Sequence, residues 1–233
     1  MRQIFLDTET TGLSSDTGDR VIEIGCIEMV NRRRTGNDKH YYLNPERPNS
    51  AGALQIHGLT DEFLADKPRF AEVADELLGY LVGAEVVAHN ASFDVGFLDA
   101  ELRRLAKPVL REHVAGVVDS LSMARNQYPG KSNSLDALCK RLEVDSSIRT
   151  VHGALLDAGL LAEVYIRMTR GQDSLVIEID GGSGQSSGSA WIDLSGWPIL
   201  AVVVPPDEVE AHHALLAELD KASSGRTLWQ RLA

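Results

Sequence analysis

The stretch FLDTETTGL, residues 5–13, carries more information than any other part of the chain. It continues an apolar, strand-forming run from Gln3 to Leu6. On a strand, side chains two apart share a face, so Asp7 and Glu9 project together. Two carboxylates that close repel each other, and both stay ionised in a fold only beside a cation or a basic partner. No basic residue lies within the motif. Hard oxygen ligands favour Mg²⁺ or Mn²⁺ over zinc. Taken alone, the D-x-E pattern also fits a solvated acidic pair at a strand end.

Working outward, Val21 to Met29 reads as a second strand, joined to the first through the turn-rich TTGLSSDTGD. His40 to Leu43 is a third. Phe70, Val73, Ala74, Leu77, Leu78 and Leu81 form a 3.6-residue stripe, which predicts a helix over 70–81. Glu85 to His89 is a short buried strand, followed by a helix from about Ser92 to Leu105. Val114 to Val118 gives a fifth strand, then helices near Ser120–Asn126 and Ser134–Leu142, the latter with Ser134 as N-cap. A last helix spans about Gly153 to Met168. Three strands first, then strands alternating with helices, predict an α/β fold with a mixed five-stranded sheet flanked by helices.

Two further carboxylates fall at informative places. Asp94, in VVAHNASFDVGFL, lies just past a buried strand where a helix begins. Asp157, in TVHGALLDAGLLAEVY, interrupts an otherwise apolar helix, where an unpaired carboxylate is rare. His152 precedes Asp157 by five residues. At about 100° per residue the two would point about 140° apart on one helix, so His152 is expected on the loop or first turn leading in. By itself it also fits a helix-start histidine bonded to backbone.

FLDTETTGL, HNASFD and HGALLD, in that order, resemble the motifs of the DEDDh exonucleases, whose fold is ribonuclease H-like. The resemblance covers about residues 3–170. NRRRTGN, IHGLTDEFL, DKPRFAEVADE and PGKSNSLDALC are similar to the proofreading members of that family that accompany a bacterial replicative DNA polymerase. The resemblance implies a 3′→5′ exonuclease with two divalent cations, Mg²⁺ or Mn²⁺. Asp7, Glu9 and Asp157 would hold one cation, Asp7 would contribute to the second, and Asp94 would support the pair through water. Two such ions about 3.5–4 Å apart stabilise the attacking and leaving oxygens of an in-line displacement at phosphorus. His152 would be the general base, a role that suits a side chain with an ordinary pKa of about 6.5. The products would be a 5′-mononucleotide and a shortened strand.

The same resemblance implies substrate contacts. Leu13 is similar to an apolar wedge beside the terminal base, Phe93 to a ring against the terminal sugar or base, and His57 to a loop residue near the 3′ nucleotide. Thr10, His89 and Asn90 flank the site. For each of these a packing or loop role is the alternative. An RNA-trimming relative would share the catalytic set, and a non-catalytic adaptor would be expected to have lost part of it.

Net charge is −11, against a protein that coats duplex DNA through a broad basic face. Residues 1–171 carry 20 Lys/Arg and 25 Asp/Glu, net −5, and residues 172–233 carry 3 and 9, net −6. A partner is expected to hold the nucleic acid beyond the few nucleotides gripped here. Residues 1–171 read as the exonuclease domain, 172–189 as a flexible Gly/Ser linker, and 190–233 as a docking tail. Trp191, Trp197 and Trp229 lie in that tail, Ala190 to Val204 has strand character, and Pro205 to Ala222 reads as an amphipathic helix. A terminal hairpin and helix packed on the main domain is the alternative. Relatives attach to the polymerase catalytic (alpha) subunit through such a tail, which raises the effective concentration at the primer end to about millimolar. QDSLVI resembles a sliding-clamp-binding peptide through Gln172 and Leu175, although Ile177 stands where an aromatic residue is common. A chance match or edge strand fits it equally. Some relatives also carry a small accessory subunit, a candidate partner here. Cys26 and Cys139 read as buried free thiols rather than a disulfide or zinc site. With no secretory signal and no membrane span, a soluble cytoplasmic protein is expected.

Overall fold

A computed structural model describes residues 1–147, 152–169 and 205–223. The chain divides into two units, Met1–Ile177 and Glu178–Ala233. The first contains strands β1 (Arg2–Thr10), β2 (Val21–Val30), β3 (Arg33–Arg34), β4 (Lys39–Tyr42), β5 (Glu85–Ala88) and β6 (Gly116–Asp119). Its helices are α1 (Ala51–His57), α2 (Asp61–Leu64), α3 (Phe70–Leu81), α4 (Ala91–Arg104), α5 (Ser120–Gln127), α6 (Leu135–Arg141) and α7 (Ala154–Met168). The second unit contributes α8 (Pro206–Ala222), none of whose residues is buried. Its apolar Val209, Leu215 and Leu219 are exposed. The predicted linker, the clamp-like Gln172, Leu175 and Ile177, and Trp191, Trp197 and Trp229 lie outside the described residues.

The sheet runs β3-β2-β1-β5-β6, with β4 also on β2. β1 and β2 pair antiparallel along their whole length, and β5 and β6 join in parallel. The sheet therefore has six strands rather than the expected five. The sixth arises because Asn31 (φ 50°) and Arg32 (φ 64°) are both left-handed. That two-residue turn folds Arg33 and Arg34 back onto Val30 and Met29, as such turns do in tight hairpins. The arginine-rich segment has no apolar alternation to announce it. β3 and β4 share the edge of β2 opposite β1, at residues 29–30 and 23–26.

Alternation along β1 divides the core into two layers. Ile4 and Leu6 join Ile24 and Val86 against α3 and α4, through Phe70, Leu77, Leu81, Leu98 and Leu102. Phe5, on the other face, joins Ile27, Met29 and Val87 against α6 and α7, through Leu138, Cys139, Ala158 and Leu161. Full burial of such Leu, Ile or Phe side chains contributes about 1.5–3 kcal/mol each. Cys26 and Cys139 are both buried and neither is in a disulfide, and burial pushes the Cys26 thiol well above its ordinary value. No helix among the described residues is long and apolar enough to cross a membrane.

Two features open a site at one end of the sheet. β1 pairs with β5 only over Gln3–Phe5, so its later residues run on past the end of its parallel neighbour. Open α/β sheets bind ligands beyond such carboxyl ends. On β2, Gly25 lies opposite Asp7, and a Cβ there would collide with the backbone of Ala154 and Leu155. Glycine thus lets the first turn of α7 rest directly on the sheet beside Asp7. Gly25→Ala is expected to lower stability by about 1–3 kcal/mol, because backbone rather than a movable side chain must yield. A urea-unfolding midpoint equal to wild type would show that the close approach is dispensable.

Candidate active site

Strand alternation aims Asp7 and Glu9 at the α7 face of the sheet, and Thr8 between them at the opposite face. Thr8 Oγ1 donates a 2.7 Å hydrogen bond to Asp94 Oδ1 in the first turn of α4. Asp94 is only 2% exposed. Burial is the main cause that pushes its carboxyl up, to about 7, with the charge of Asp119 adding to it and the Thr8 hydrogen bond opposing it. α4 begins at Asn90 in a left-handed conformation (φ 71°, ψ 54°), which asparagine tolerates better than most residues. Asp119 Oδ1 holds it there, accepting from the backbone N–H of Asn90 at 3.1 Å and of Leu121 at 3.0 Å.

Asp157 lies in the first turn of α7 and is 3% exposed. His152 precedes that helix, its backbone N–H donating to Ile56 O at 3.2 Å. Its Nδ1 lies 3.2 Å from Asp157 Oδ2. Ligand atoms of Glu9, His152 and Asp157 lie within 4.8 Å of one another. Asp7, Glu9, Asp94, His152 and Asp157 line one open cleft of about 660 Å³, together with His89, Asn90 and Phe93.

An adjoining hollow of about 320 Å³ shares Thr8, Glu9 and Phe93 with the cleft and is completed by Thr10, Leu13, Ile56 and His57. Leu13 is 85% exposed at its rim. Thr10 Oγ1 donates to Gly12 O at 2.6 Å, shaping the turn that carries Leu13. His57 is the last residue of a helix rather than a loop residue, which corrects the expectation. Ser50 caps that helix by accepting from the Ala53 N–H, and Gly58 closes it in a left-handed conformation. Seven residues of which only His57 is buried leave little periodic signal. His57 is 3% exposed, and burial lowers its pKa, partly offset by the charge of Glu23. Its Nδ1 accepts from the Leu59 N–H at 3.0 Å, so the neutral ring carries its hydrogen on Nε2.

Glu23, Arg125 and Lys131 escaped the sequence reading, as did the bonds that fix His89. Glu23 lies opposite Glu9 across the β1–β2 ladder, 2% exposed and 2.7 Å from His40 Nε2. A carboxylate amid the apolar run VIEIG was the available signal. His89 acts as a strut in the wall: Nδ1 lies 2.9 Å from Ser120 Oγ and Nε2 2.9 Å from Asn133 O. Burial lowers the pKa of His89. In the neutral ring, Nε2–H donates to the carbonyl and Nδ1 accepts from the serine. Arg125 and Lys131 line the same cleft.

A family model described as Exonuclease (RNase_T) matches residues 4–165. The DNA polymerase III subunit epsilon of Escherichia coli K12 is 49% identical over 236 residues, covering 98% of this chain and 97% of that protein. The chain belongs to the exonuclease family of DNA polymerase III epsilon subunits. It is accordingly a metal-dependent 3′→5′ DNA exonuclease. Among solved structures, Exonuclease X in complex with 5′ overhanging duplex DNA aligns with a TM-score of 0.56 and 27% identity, covering 72% of this chain and 90% of that one. The nuclease domain of 3′hExo, a DEDDh family member bound to rAMP, aligns with a TM-score of 0.62 at 15% identity, covering 72% and 90%. The latter speaks to fold alone, and the ribonuclease H-like architecture of the exonuclease agrees with it.

The donor set suits the divalent cations this family uses. Asp7, Glu9, Asp94 and Asp157 are four of the five carboxylates lining one cleft, and Asp94 and Asp157 are almost wholly buried. Buried carboxylates persist when paired or bound to metal. In the metal-free exonuclease, Asp94 makes stability depend on pH. Its folded pKa, about 7, lies above the unfolded carboxylate value of about 3.9. The fold therefore holds a proton that the unfolded chain has released, and stability falls as pH rises through about 4 to 7. In chelator, wild type is expected to lose more stability between pH 5 and pH 8 than Asp94→Asn. Equal losses in urea unfolding would contradict this. Thr8→Val, which removes a donor to a buried carboxylate, is expected to cost about 1–3 kcal/mol in the same assay.

Proposed function

We propose that this chain is the proofreading subunit of a bacterial replicative polymerase, with Asp7, Glu9, Asp94 and Asp157 holding two Mg²⁺ or Mn²⁺ ions and His152 serving as general base. The observation that carries this reading is the convergence of those five side chains, from β1, α4, α7 and the loop before α7, on one cleft. The cations would offset charge on the phosphoryl oxygens and make a water more acidic. Asp157 Oδ2, 3.2 Å away, accepts from Nδ1–H of His152 and holds the tautomer in which Nε2 takes the proton. The backbone bond from His152 to Ile56 O keeps that ring at the mouth of the cleft. The products are a 5′-mononucleotide and a strand one residue shorter.

The apolar hollow beside the cleft suits the terminal nucleotide. Leu13 serves as the wedge beside its base, Phe93 as the stacking ring, and His57, with Thr10, completes the wall, while Asn90 flanks the substrate from the main cleft. Such contacts tolerate any base. Preference for a mismatched end then follows from fraying, because an unpaired terminus has already lost the few kcal/mol of pairing and stacking that extrusion costs. The cellular setting is the cytoplasm, where the tail docks on the catalytic (alpha) subunit. The exposed Val209, Leu215 and Leu219 of α8 supply apolar contact area for that docking. The sliding clamp, through Gln172, Leu175 and Ile177, and a small accessory subunit are further partners of this reading.

The test is hydrolysis of a labelled primer, paired or mismatched at its 3′ end, beside an RNA primer of equal sequence, with Mg²⁺ or with chelator. Metal-dependent release of mononucleotides, fastest from mismatched DNA, is expected. His152→Ala and Asp157→Ala should each remove most of that activity while the fold persists by circular dichroism. Activity within severalfold of wild type would refute those assignments, and preference for RNA would place the chain with the RNA-trimming relatives.

A further inference from the structure

The cleft has a wall that the chemistry above does not use. It is built from α5 and from the turn that follows it, and Arg125, Lys131 and Asn133 there line the same cleft as the carboxylates. This turn is held firmly. Asn133, 8% exposed, donates from Nδ2 to Tyr128 O at 3.2 Å and to Lys131 O at 3.0 Å. Its Oδ1 accepts from Arg141 Nη1 at 3.1 Å, and Arg141 Nη2 donates to Ser132 O at 2.7 Å. The Arg141 guanidinium also lies 4.8 Å from the centre of the Tyr128 ring. Gly130, at φ +73°, supplies the left-handed residue that reverses the chain. His89 ties the whole turn to β5 through Asn133 O.

Arg141, at the end of α6, is thus occupied by the turn, while the two cations on its cleft side are not. Arg2, Arg20, Lys39, Arg47, Lys67 and Lys107 all have carboxylate partners. Arg125 and Lys131 have none among the described residues, as is true of Arg33, Arg104, Arg111 and Lys140, but of these six only Arg125 and Lys131 line the cleft. In a chain with 34 acidic and 23 basic residues, two exposed cations left without partners on the wall of an acidic cleft are an asymmetry that asks for an anion. Asp136, in the first turn of the neighbouring α6, also lines the cleft.

We infer that Arg125 and Lys131 bind backbone phosphates of the substrate strand on the 5′ side of the bond being cut. This rests on the exonuclease reading of the cleft and adds to it the path of the strand. The terminal nucleotide occupies the apolar hollow, on the Leu13 side of Glu9 and Phe93. The strand leaves the carboxylates on the other side, past the basic wall. Two point charges contact the backbone without reading bases, which a nuclease indifferent to sequence requires. They also offset the repulsion that Asp7, Glu9, Asp94 and Asp157 present to an approaching polyanion. The effect is local, since a charge is screened beyond about 8–10 Å at physiological salt.

The experiment compares two substrates on the full chain in Mn²⁺: a single-stranded oligothymidylate, and the nitrophenyl ester of thymidine 5′-phosphate. The ester presents the scissile linkage with no phosphate upstream. For Arg125→Ala/Lys131→Ala, the ratio of kcat/KM on oligonucleotide to that on ester is expected to fall about tenfold. The plot of log kcat/KM against log KCl for the oligonucleotide should flatten by about 0.7 per lost contact, about 1.4 in all. Arg125→Lys/Lys131→Arg, which keeps both charges, should retain most of the slope. If the double alanine variant lowers both substrates alike and leaves the slope unmoved, the inference is overturned while the exonuclease reading stands. If wild type cleaves neither substrate, the exonuclease reading fails and this inference with it.

Discussion

Mutual repulsion among four carboxylates gathered in one cleft is the constraint around which the rest of this structure is arranged. Asp7 and Glu9 share a strand face, Asp157 faces them from α7, and Asp94 comes from α4 behind Thr8. At an effective dielectric constant of about 20, two unit charges 4 Å apart interact by about 4 kcal/mol. A fold of ordinary marginal stability tolerates several such terms only if cations or protons offset them. Asp94, pushed up to about 7 chiefly by burial with the charge of Asp119 adding to it, is a carboxyl that a proton can neutralise. Divalent cations are the other means of offset, and the one that turns the repulsion into chemistry.

Much of the surrounding architecture serves to keep the carboxylates close. Gly25 lets α7 lie on the sheet, so that Asp157 reaches the strand carrying Asp7. Asp119 holds the left-handed Asn90 from which α4 starts, and so sets the direction of Asp94 and Phe93. His152 is moored to Ile56, next to His57, by a backbone bond. The carboxylate end of the cleft and its apolar annex are therefore joined by the chain itself. Each mooring lies outside the three sequence motifs, yet each decides where a motif side chain sits.

This division explains what was legible in the sequence. The strand reading of residues 3–9, the stripe over 70–81 and the polar interruption at Asp157 are local patterns with periods of two or 3.6 residues, and the structure has an element at each. The Arg33–Arg34 strand and the α1 helix were not legible. One rests on two left-handed residues in an arginine-rich turn, and the other spans only seven residues between caps. Glu23, Asp119 and the His89–Asn133 strut depend on pairing between segments distant in sequence, which no local period encodes. The basic wall was hidden for another reason: Arg125 and Lys131 stand out only when the cleft they line is seen.

The central claim is that these carboxylates exist to hold divalent cations. Its most direct test is a calorimetric Mn²⁺ titration of the purified chain, without nucleic acid, beside Asp7→Asn. Two ions per wild-type chain, with binding much weakened in the variant, is the result this account predicts. No saturable binding by wild type, or binding undiminished in Asp7→Asn, would contradict it.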